Sequence, residues 1–195
     1  MNKLLFSIFF IIVSNFGFLH SADKAQGIFV SFGVGPRLPV SNFSTSTDVG
    51  YGFNLEFSYT NNQLIPIFLF TKLGYESYPG SQGFYESTDY ASFSTTSVPI
   101  NAGIRYYFSP LLESAFLLIP LVEASASFSY MKELHQFKLT SGKNNYYEEN
   151  YKLGFSAGIG VSMFLMEILT SYNYFQNNQF ISADLKIRLP LLVIF

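Results

Sequence analysis

The stretch VGYGFNLEFSYT, residues 49–60, alternates strictly between large apolar or aromatic side chains and small or polar ones. The large set consists of Val49, Tyr51, Phe53, Leu55, Phe57 and Tyr59. Because successive side chains of a strand point to opposite faces of a sheet, the stretch predicts a β-strand with one apolar and one polar face. Whether the apolar face points inward or outward decides the class of protein.

The same alternation recurs along the chain and predicts eight strands, all antiparallel by their connections. They are GIFVSFGVG (27–35), residues 49–60, IPIFLFTKLGYE (65–76), SVPINAGIRYYF (97–108), VEASASFSY (122–130), YKLGFSAGIGVSM (151–163), EILTSYNY (167–174) and ISADLKIRLPLLVIF (181–195). An all-β domain is therefore predicted.

The composition narrows the choice of function. Only 12% of the residues are charged, against roughly 25% in a soluble domain, while 49% are hydrophobic. The chain has no Cys, which excludes disulfides and thiolate metal sites, and its formal charge of −2 is too small to suggest a nucleic-acid partner.

Ten charged residues fall within the predicted strands, and every one lies on the small, polar face. They are Glu56, Lys72, Glu76, Arg105, Glu123, Lys152, Glu167, Asp184, Lys186 and Arg188. Large residues from every strand would overfill the interior of an eight-stranded barrel, whereas Gly, Ser, Ala and Asn fit a narrow lumen. The apolar face is therefore predicted to meet lipid, giving an eight-stranded antiparallel transmembrane up-and-down β-barrel. A soluble lipocalin-like barrel is the alternative.

The five acidic and five basic inward residues match in number, so we expect them to form a structural network of ion pairs. Bulky residues on the same face predict an apolar plug toward the periplasmic end: Phe29, Phe68, Phe70, Tyr107, Leu117, Ile119, Phe164, Leu169, Leu192 and Ile194. A plugged lumen suits a membrane anchor or a platform for surface loops. A narrow passive channel is the second hypothesis.

Residues 1–22 resemble a secretory signal peptide, with Lys3, an apolar run from Leu4 to Val13, and small residues up to a cleavage site near Ala22. The apolar run is about half the roughly 20 residues that a membrane-spanning helix needs. The prediction is export, followed by a barrel domain over residues 23–195.

The connections predict an orientation. Segments 36–48, 77–93 and 132–148 are long and rich in Ser, Thr, Asn and Tyr, whereas the connections between them are short. Long extracellular loops alternating with short periplasmic turns are typical of outer-membrane barrels. The long segments are therefore candidates for binding an extracellular ligand, and both termini are expected in the periplasm.

Motifs for chemistry are nearly absent. The glycines of GFSAGIGVS, residues 154–162, are better explained as space for lumen side chains than as a cofactor site. His135, with Ser129 and Glu133 nearby in sequence, supports a third hypothesis, a lipid A-modifying barrel enzyme. A solvated loop histidine is the simpler interpretation, so no catalytic residue, cofactor or metal site is predicted.

Two segments carry a family resemblance. KIRLPLLVIF, residues 186–195, resembles the C-terminal signal that the barrel assembly machinery reads on bacterial outer-membrane barrels, with Phe195 as its last residue. SVPINAGIRYYF, residues 97–108, is similar to a strand of the small outer-membrane β-barrel domain family of Bacteroidetes-type bacteria, of the OmpA/OmpX build. The resemblance implies an outer-membrane location, with outer-membrane lipid and the assembly machinery as partners, and no assigned activity. The chain departs from the pattern in having no Trp, and no peptidoglycan-binding domain is expected after the barrel.

Overall fold

The chain folds into a closed barrel of eight antiparallel strands, each hydrogen-bonded to its neighbours in sequence, with the first strand paired to the last. The computed structural model describes residues 26–61, 67–111 and 118–194. The strands are β1 (Gln26–Val40), β2 (Gly50–Asn61), β3 (Ile67–Pro79), β4 (Tyr90–Tyr107), β5 (Leu118–Phe137), β6 (Tyr146–Met163), β7 (Met166–Phe175) and β8 (Asn178–Ile194). The predicted eight-stranded up-and-down barrel is confirmed. The predicted signal peptide, residues 1–22, and Phe195 lie outside the described residues.

The apolar face of every strand points outward. In β2 the burial alternates at each residue from Gly50 to Thr60, and Phe57 on its outer face is 52% exposed while Glu56 beside it is fully buried. Similar exposed apolar residues on the other strands include Phe32, Leu73, Ile104, Phe128, Ile159 and Leu185. Soluble monomers rarely expose apolar patches of more than a few hundred Å². A band that includes all eight strands is instead the lipid-facing surface of a transmembrane barrel, and the soluble-barrel alternative is wrong.

The three longer connections lie at one end of the barrel, here called the loop end. They contain two short helices, α1 (Phe43–Ser46) and α2 (Gln82–Ser87), and a 3₁₀ turn over Leu139–Ser141. They are shorter than the predicted segments 36–48, 77–93 and 132–148, because the adjoining strands continue into them. Aromatic and β-branched residues in these segments, such as Phe93, favour extended structure even where the alternation is weak.

The loops are joined to one another at the loop end. Thr47 bridges to Gly80, and the backbone N–H of Ser81 donates to Ser46. The Nζ of Lys138 donates to the carbonyl oxygens of Tyr85 and Thr88, each at 2.8 Å. The segments therefore form one connected surface.

A register shift in the β1–β8 pairing affects the opposite end, here called the terminal end. Ile28 pairs with Leu192 while Phe29 pairs with Pro190, so Leu191 is an extra residue on β8. Proline lacks the N–H that a regular ladder needs and is often found at such bulges. Beyond the bulge, Leu192 shares the outward face of Ile28, which the strict alternation in the sequence did not anticipate. Among the described residues, no helix is long and apolar enough to cross a membrane.

Candidate functional site: the barrel lumen and the loop end

The middle of the lumen is occupied by a network of charged side chains centred on Arg105 of β4. Its guanidinium makes two bonds to Glu56, with Nη1–Oε1 at 2.7 Å and Nη2–Oε2 at 2.8 Å. It also donates to Oε2 of Glu123 from Nη2 at 2.6 Å and from Nε at 3.0 Å. Such bidentate, charge-assisted bonds fix the orientation of both partners.

Three further basic residues complete this central network. Lys186 Nζ lies 2.8 Å from Glu56, and Lys72 Nζ lies 3.5 Å from Glu123. Arg188 pairs with Glu167 at 2.9 Å and donates to Ser58. The members are Glu56, Lys72, Arg105, Glu123, Glu167, Lys186 and Arg188, and all of them are buried.

A second network toward the loop end contains a residue that sequence reasoning missed. Arg37 was assigned to the loop 36–48, but it lies in β1 and is 2% exposed. Its Nε is 3.0 Å from Glu76 and its Nη1 is 2.9 Å from Asp184. The prolines at positions 36 and 39 concealed the strand. Val34 and Leu38, which share the outer face opposite Arg37, did carry the period-2 signal.

Lys152, the tenth predicted lumen charge, makes no ion pair in the described part of the chain. It is only partly buried, and its Nζ donates to the carbonyl oxygen of Gln176 and to the side chain of Asn178 in the β7–β8 turn. With Arg37 in its place, the two networks together hold five acidic and five basic groups.

An aromatic layer lies below the central network at the terminal end. The guanidinium carbon of Arg188 lies 4.8–5.2 Å from the ring centres of Phe29, Phe68 and Tyr107, within the range of cation–π attraction. The Tyr107 hydroxyl donates to Glu167 at 2.6 Å and contacts Arg188. The layer therefore joins the network by both packing and hydrogen bonds.

Some of the predicted plug residues lie in the lumen and others do not. Phe29, Phe68, Phe70, Tyr107 and Leu169 lie in the lumen, and Ile119 is half-buried. The assignments of Phe164 and Leu192 were wrong: Phe164 lies exposed in the β6–β7 turn with a φ of 56°, and the β8 bulge turns Leu192 outward. Leu117 lies outside the described residues, and so does the side chain of Ile194.

A second aromatic layer covers the networks at the loop end and was not predicted. Phe43 of α1 packs edge-on against Tyr78 at 4.9 Å, and Tyr78 lies 5.6 Å from Phe180. Phe175 and Met131 complete this buried cluster. The Tyr78 hydroxyl donates to Oε2 of Glu76 at 3.0 Å, so the layer is bonded to the Arg37 network beneath it. Phe43 lies in a helical turn with no alternation, which is why its sequence context gave no signal.

The space left among these side chains is small. A cavity of about 10 Å³ lies beside Arg37, Lys72 and Asp184, which is about the space that a single water molecule needs. The side-chain oxygens of Asn54 and Asn101, on residues lining this cavity, make no hydrogen bond within the described structure.

Glycines on the inner face make room for the basic side chains. A Cβ atom on Gly52 would lie 2.8–2.9 Å from the guanidinium of Arg37, and one on Gly33 would lie 2.9 Å from Cγ of Lys186. Gly154 likewise lies against the ring of Phe175. These short distances agree with the expectation that the strand glycines leave space for lumen side chains.

The serine of the enzyme hypothesis does not meet the histidine. Ser129 is fully buried and hydrogen-bonded to Ser97 at 2.8 Å. His135 lies six positions further along β5, a distance of about 20 Å at the rise of an extended strand. Glu133 does lie beside His135, with Oε2 3.8 Å from Nε2. A serine nucleophile activated by His135 therefore cannot be built from Ser129.

The fold is similar to that of several solved structures. Neisserial surface protein A matches at 16% identity over 86% of this chain and 99% of its own, with a TM-score of 0.49. The attachment invasion locus protein Ail of Yersinia pestis matches at 12% identity over 86% of this chain and 100% of its own, with a TM-score of 0.46. The N-terminal β-barrel domain of Pseudomonas aeruginosa OprF matches at 13% identity over 86% and 100%, with a TM-score of 0.44. No protein-family model and no curated protein matches the sequence.

Proposed function

We propose that this protein is an integral outer-membrane barrel that acts without catalysis, as a closed anchor presenting a connected loop surface outside the cell. One observation carries the proposal: the lumen is filled by two charge networks held between two aromatic layers. Side chains packed in this way leave little room for solutes, so we expect the barrel to serve the envelope through its structure and its loops.

The pattern of the outer face supports the membrane part of the proposal. An apolar band includes all eight strands, and cross-strand aromatic pairs such as Phe53–Tyr75 and Phe155–Tyr174 stack at 5.3 and 5.0 Å on that face. Aromatic girdles of this kind lie at the interfaces of outer-membrane barrels. The loop end is the extracellular end in this proposal.

The proposed partners follow from the same assignment. Outer-membrane lipid surrounds the band, and the assembly machinery recognises the chain through Phe195 after a signal peptide over residues 1–22 directs export. Loops 36–48, 77–93 and 132–148 supply the surface for an extracellular ligand. The ion pair Lys143–Asp89, at 2.9 Å, joins the second of these segments to the third and helps to hold that surface together.

The test is conductance of the purified chain in planar bilayers. We expect no steady ion current from the wild type, and none from Phe43→Ala, because the charge networks would still fill the lumen after the aromatic cover is opened. A tenfold change in salt should leave both traces at baseline. A steady current in the wild type would instead establish the narrow passive channel.

A further inference from the structure

Two carboxylates face each other at the loop end without a lysine or arginine between them. Glu133 of β5 is the direct cross-strand partner of Glu148 of β6. Like charges placed opposite each other destabilise a sheet. In the described part of the chain, the one ion-pair partner of either carboxylate is His135.

His135 is held rigidly and points its free nitrogen at this pair. The residue is 7% exposed, its ring stacks on Tyr146 at 4.5 Å with an interplanar angle of 9°, and Phe93 meets it edge-on at 5.2 Å. The Nδ1 atom lies 3.1 Å from the Tyr90 hydroxyl. The Nε2 atom is buried and has no hydrogen-bond partner among the described residues.

The distances around Nε2 suit a shared ligand better than direct bonds. Nε2 lies 3.8 Å from Oε2 of Glu133 and 3.6 Å from Oε2 of Glu148, beyond the usual hydrogen-bond range. One ligand atom from each residue lies within 4.8 Å of the other two. The other carboxylate oxygen of Glu148 accepts a hydrogen bond from Asn150 at 2.8 Å, which orients the group.

We propose that Glu133, His135 and Glu148 bind a divalent transition-metal ion, with Zn²⁺ the ion that this ligand set fits best. Imidazole nitrogen and carboxylate oxygen are both ordinary zinc ligands, and tetrahedral Zn²⁺ separates its ligand atoms by roughly 3.3 Å. The two nitrogen–oxygen separations need to close by only a few tenths of an ångström. The two carboxylate oxygens, within 4.8 Å of each other, would close by up to about 1.5 Å. Ca²⁺ fits less well because it takes six to eight oxygen ligands.

Residues around the cluster would orient its ligands. With Nε2 bound to the ion, Nδ1 would carry the proton and donate a hydrogen bond to the Tyr90 hydroxyl oxygen, which would fix the tautomer and the ring orientation. Glu148 is about half exposed, so an ion can enter from outside the cell. The ion would neutralise the facing carboxylates and tie β5 to β6 beneath the third loop.

The experiment is a Zn²⁺ titration of the refolded full chain, prepared without a polyhistidine tag and with His20, the other histidine, replaced by Gln. We expect one saturable site, weakened at least tenfold in His135→Ala and in Glu148→Gln. The matched control is Glu149→Gln, which removes a neighbouring carboxylate that pairs with Lys132 at 3.8 Å instead, and it should bind as the parent does. Co²⁺ should bind the same site and give the visible absorption bands of a low-coordinate nitrogen and oxygen environment.

Folding of each variant is checked by the heat-dependent gel shift of the barrel. Glu148 is exposed enough for its variant to fold even if His135→Ala does not. Absence of saturable Zn²⁺ binding in the parent would overturn the proposal, and so would equal binding by the parent and Glu148→Gln. The outcome is independent of whether the lumen conducts ions.

Discussion

The central lumen and the loop end both hold partly or fully buried carboxylates, and they differ in what faces them. Glu56 in the lumen has Arg105 and Lys186 within 2.8 Å. Glu133 at the loop end has another carboxylate as its cross-strand partner and an imidazole at 3.8 Å. The lumen carboxylates are paired with arginine or lysine, whereas the facing carboxylates at the loop end have only His135 as an ion-pair partner among the described residues.

In this account the charges in the lumen stabilise the structure, whereas those at the loop end serve binding. Ionised groups taken out of water need full compensation, and an isolated one costs several kcal/mol. The ten lumen charges meet that need inside the barrel. The cluster of Glu133, His135 and Glu148 retains excess negative charge at a place that solvent can reach.

The largest effect is expected from Arg105→Ala. Removing this side chain leaves Glu56, Glu123 and Glu167 short of partners, and breaking a buried pair costs about 3–5 kcal/mol. The free energy of unfolding, measured by urea titration in lipid vesicles, should fall by about that amount. The control is Lys143→Ala, which breaks the exposed pair with Asp89 and should cost less than about 1 kcal/mol. Equal small losses in both variants would mean that water screens the lumen.

A smaller loss is expected from Arg37→Ala. Glu76 keeps its hydrogen bond from Tyr78, and water in the adjacent cavity can reach the carboxylates, so we expect about 2 kcal/mol. Arg37→Lys should recover part of the loss because one of the two ion pairs can still form. Urea unfolding in the same vesicles measures both. If the Arg37→Ala barrel were as stable as the wild type, this network would contribute no more to stability than an exposed surface ion pair does.

A further prediction concerns the cover at the loop end. Phe43→Ala removes an edge-on contact with Tyr78 and should lower the free energy of unfolding by about 2 kcal/mol, below the usual range for a core phenylalanine because α1 can relax. Phe84→Ala in α2 is the control, since Phe84 lies outside the buried Phe43–Tyr78 cluster. If Phe84→Ala lowered the free energy of unfolding as much as Phe43→Ala, the aromatic layer at the loop end would have no particular role in stability.

The smallest effect should have the opposite sign. In the presence of a chelator, Glu148→Gln removes one of two facing like charges and should raise the free energy of unfolding by about 0.5 kcal/mol. With saturating Zn²⁺ the order should reverse, because only the parent gains stability from the ion. Glu149→Gln should show neither change. A loss of stability in the chelated Glu148→Gln variant would mean that His135 already compensates the pair.

Much of this fold could be predicted from sequence because membrane-spanning strands repeat with a period of two. The two faces of β2 follow from that period, and the small residues that share a face with Glu56 indicate that this face lines the lumen. The period fails where the backbone departs from a regular strand. Leu192 was misplaced because a bulge at Pro190 shifts the pairing, and Arg37 was missed because two prolines made its strand resemble a loop.

The sites depend on contacts between residues on different strands, which a single sequence specifies poorly. The pairing of Glu133 with Glu148 needs the β5–β6 register, and the loop that separates them in sequence hides it. His135 was assigned to solvent because its neighbours Lys132 and Glu133 are polar. Its burial comes from Tyr146 and Phe93, which lie on other strands.

The most direct measurement places single cysteines at two consecutive positions of β5, since the chain has no native Cys. A bimane fluorophore on Phe128→Cys should be quenched by brominated lipid in vesicles, because Phe128 lies on the outer face. Ser127→Cys, at the buried lumen position beside it, should resist a small water-soluble thiol reagent until the barrel is unfolded. Quenching at the first position with protection at the second is the predicted result. Rapid labelling of folded Ser127→Cys, or no lipid quenching at Phe128→Cys, would contradict a closed barrel with its charges inside and its apolar face in lipid.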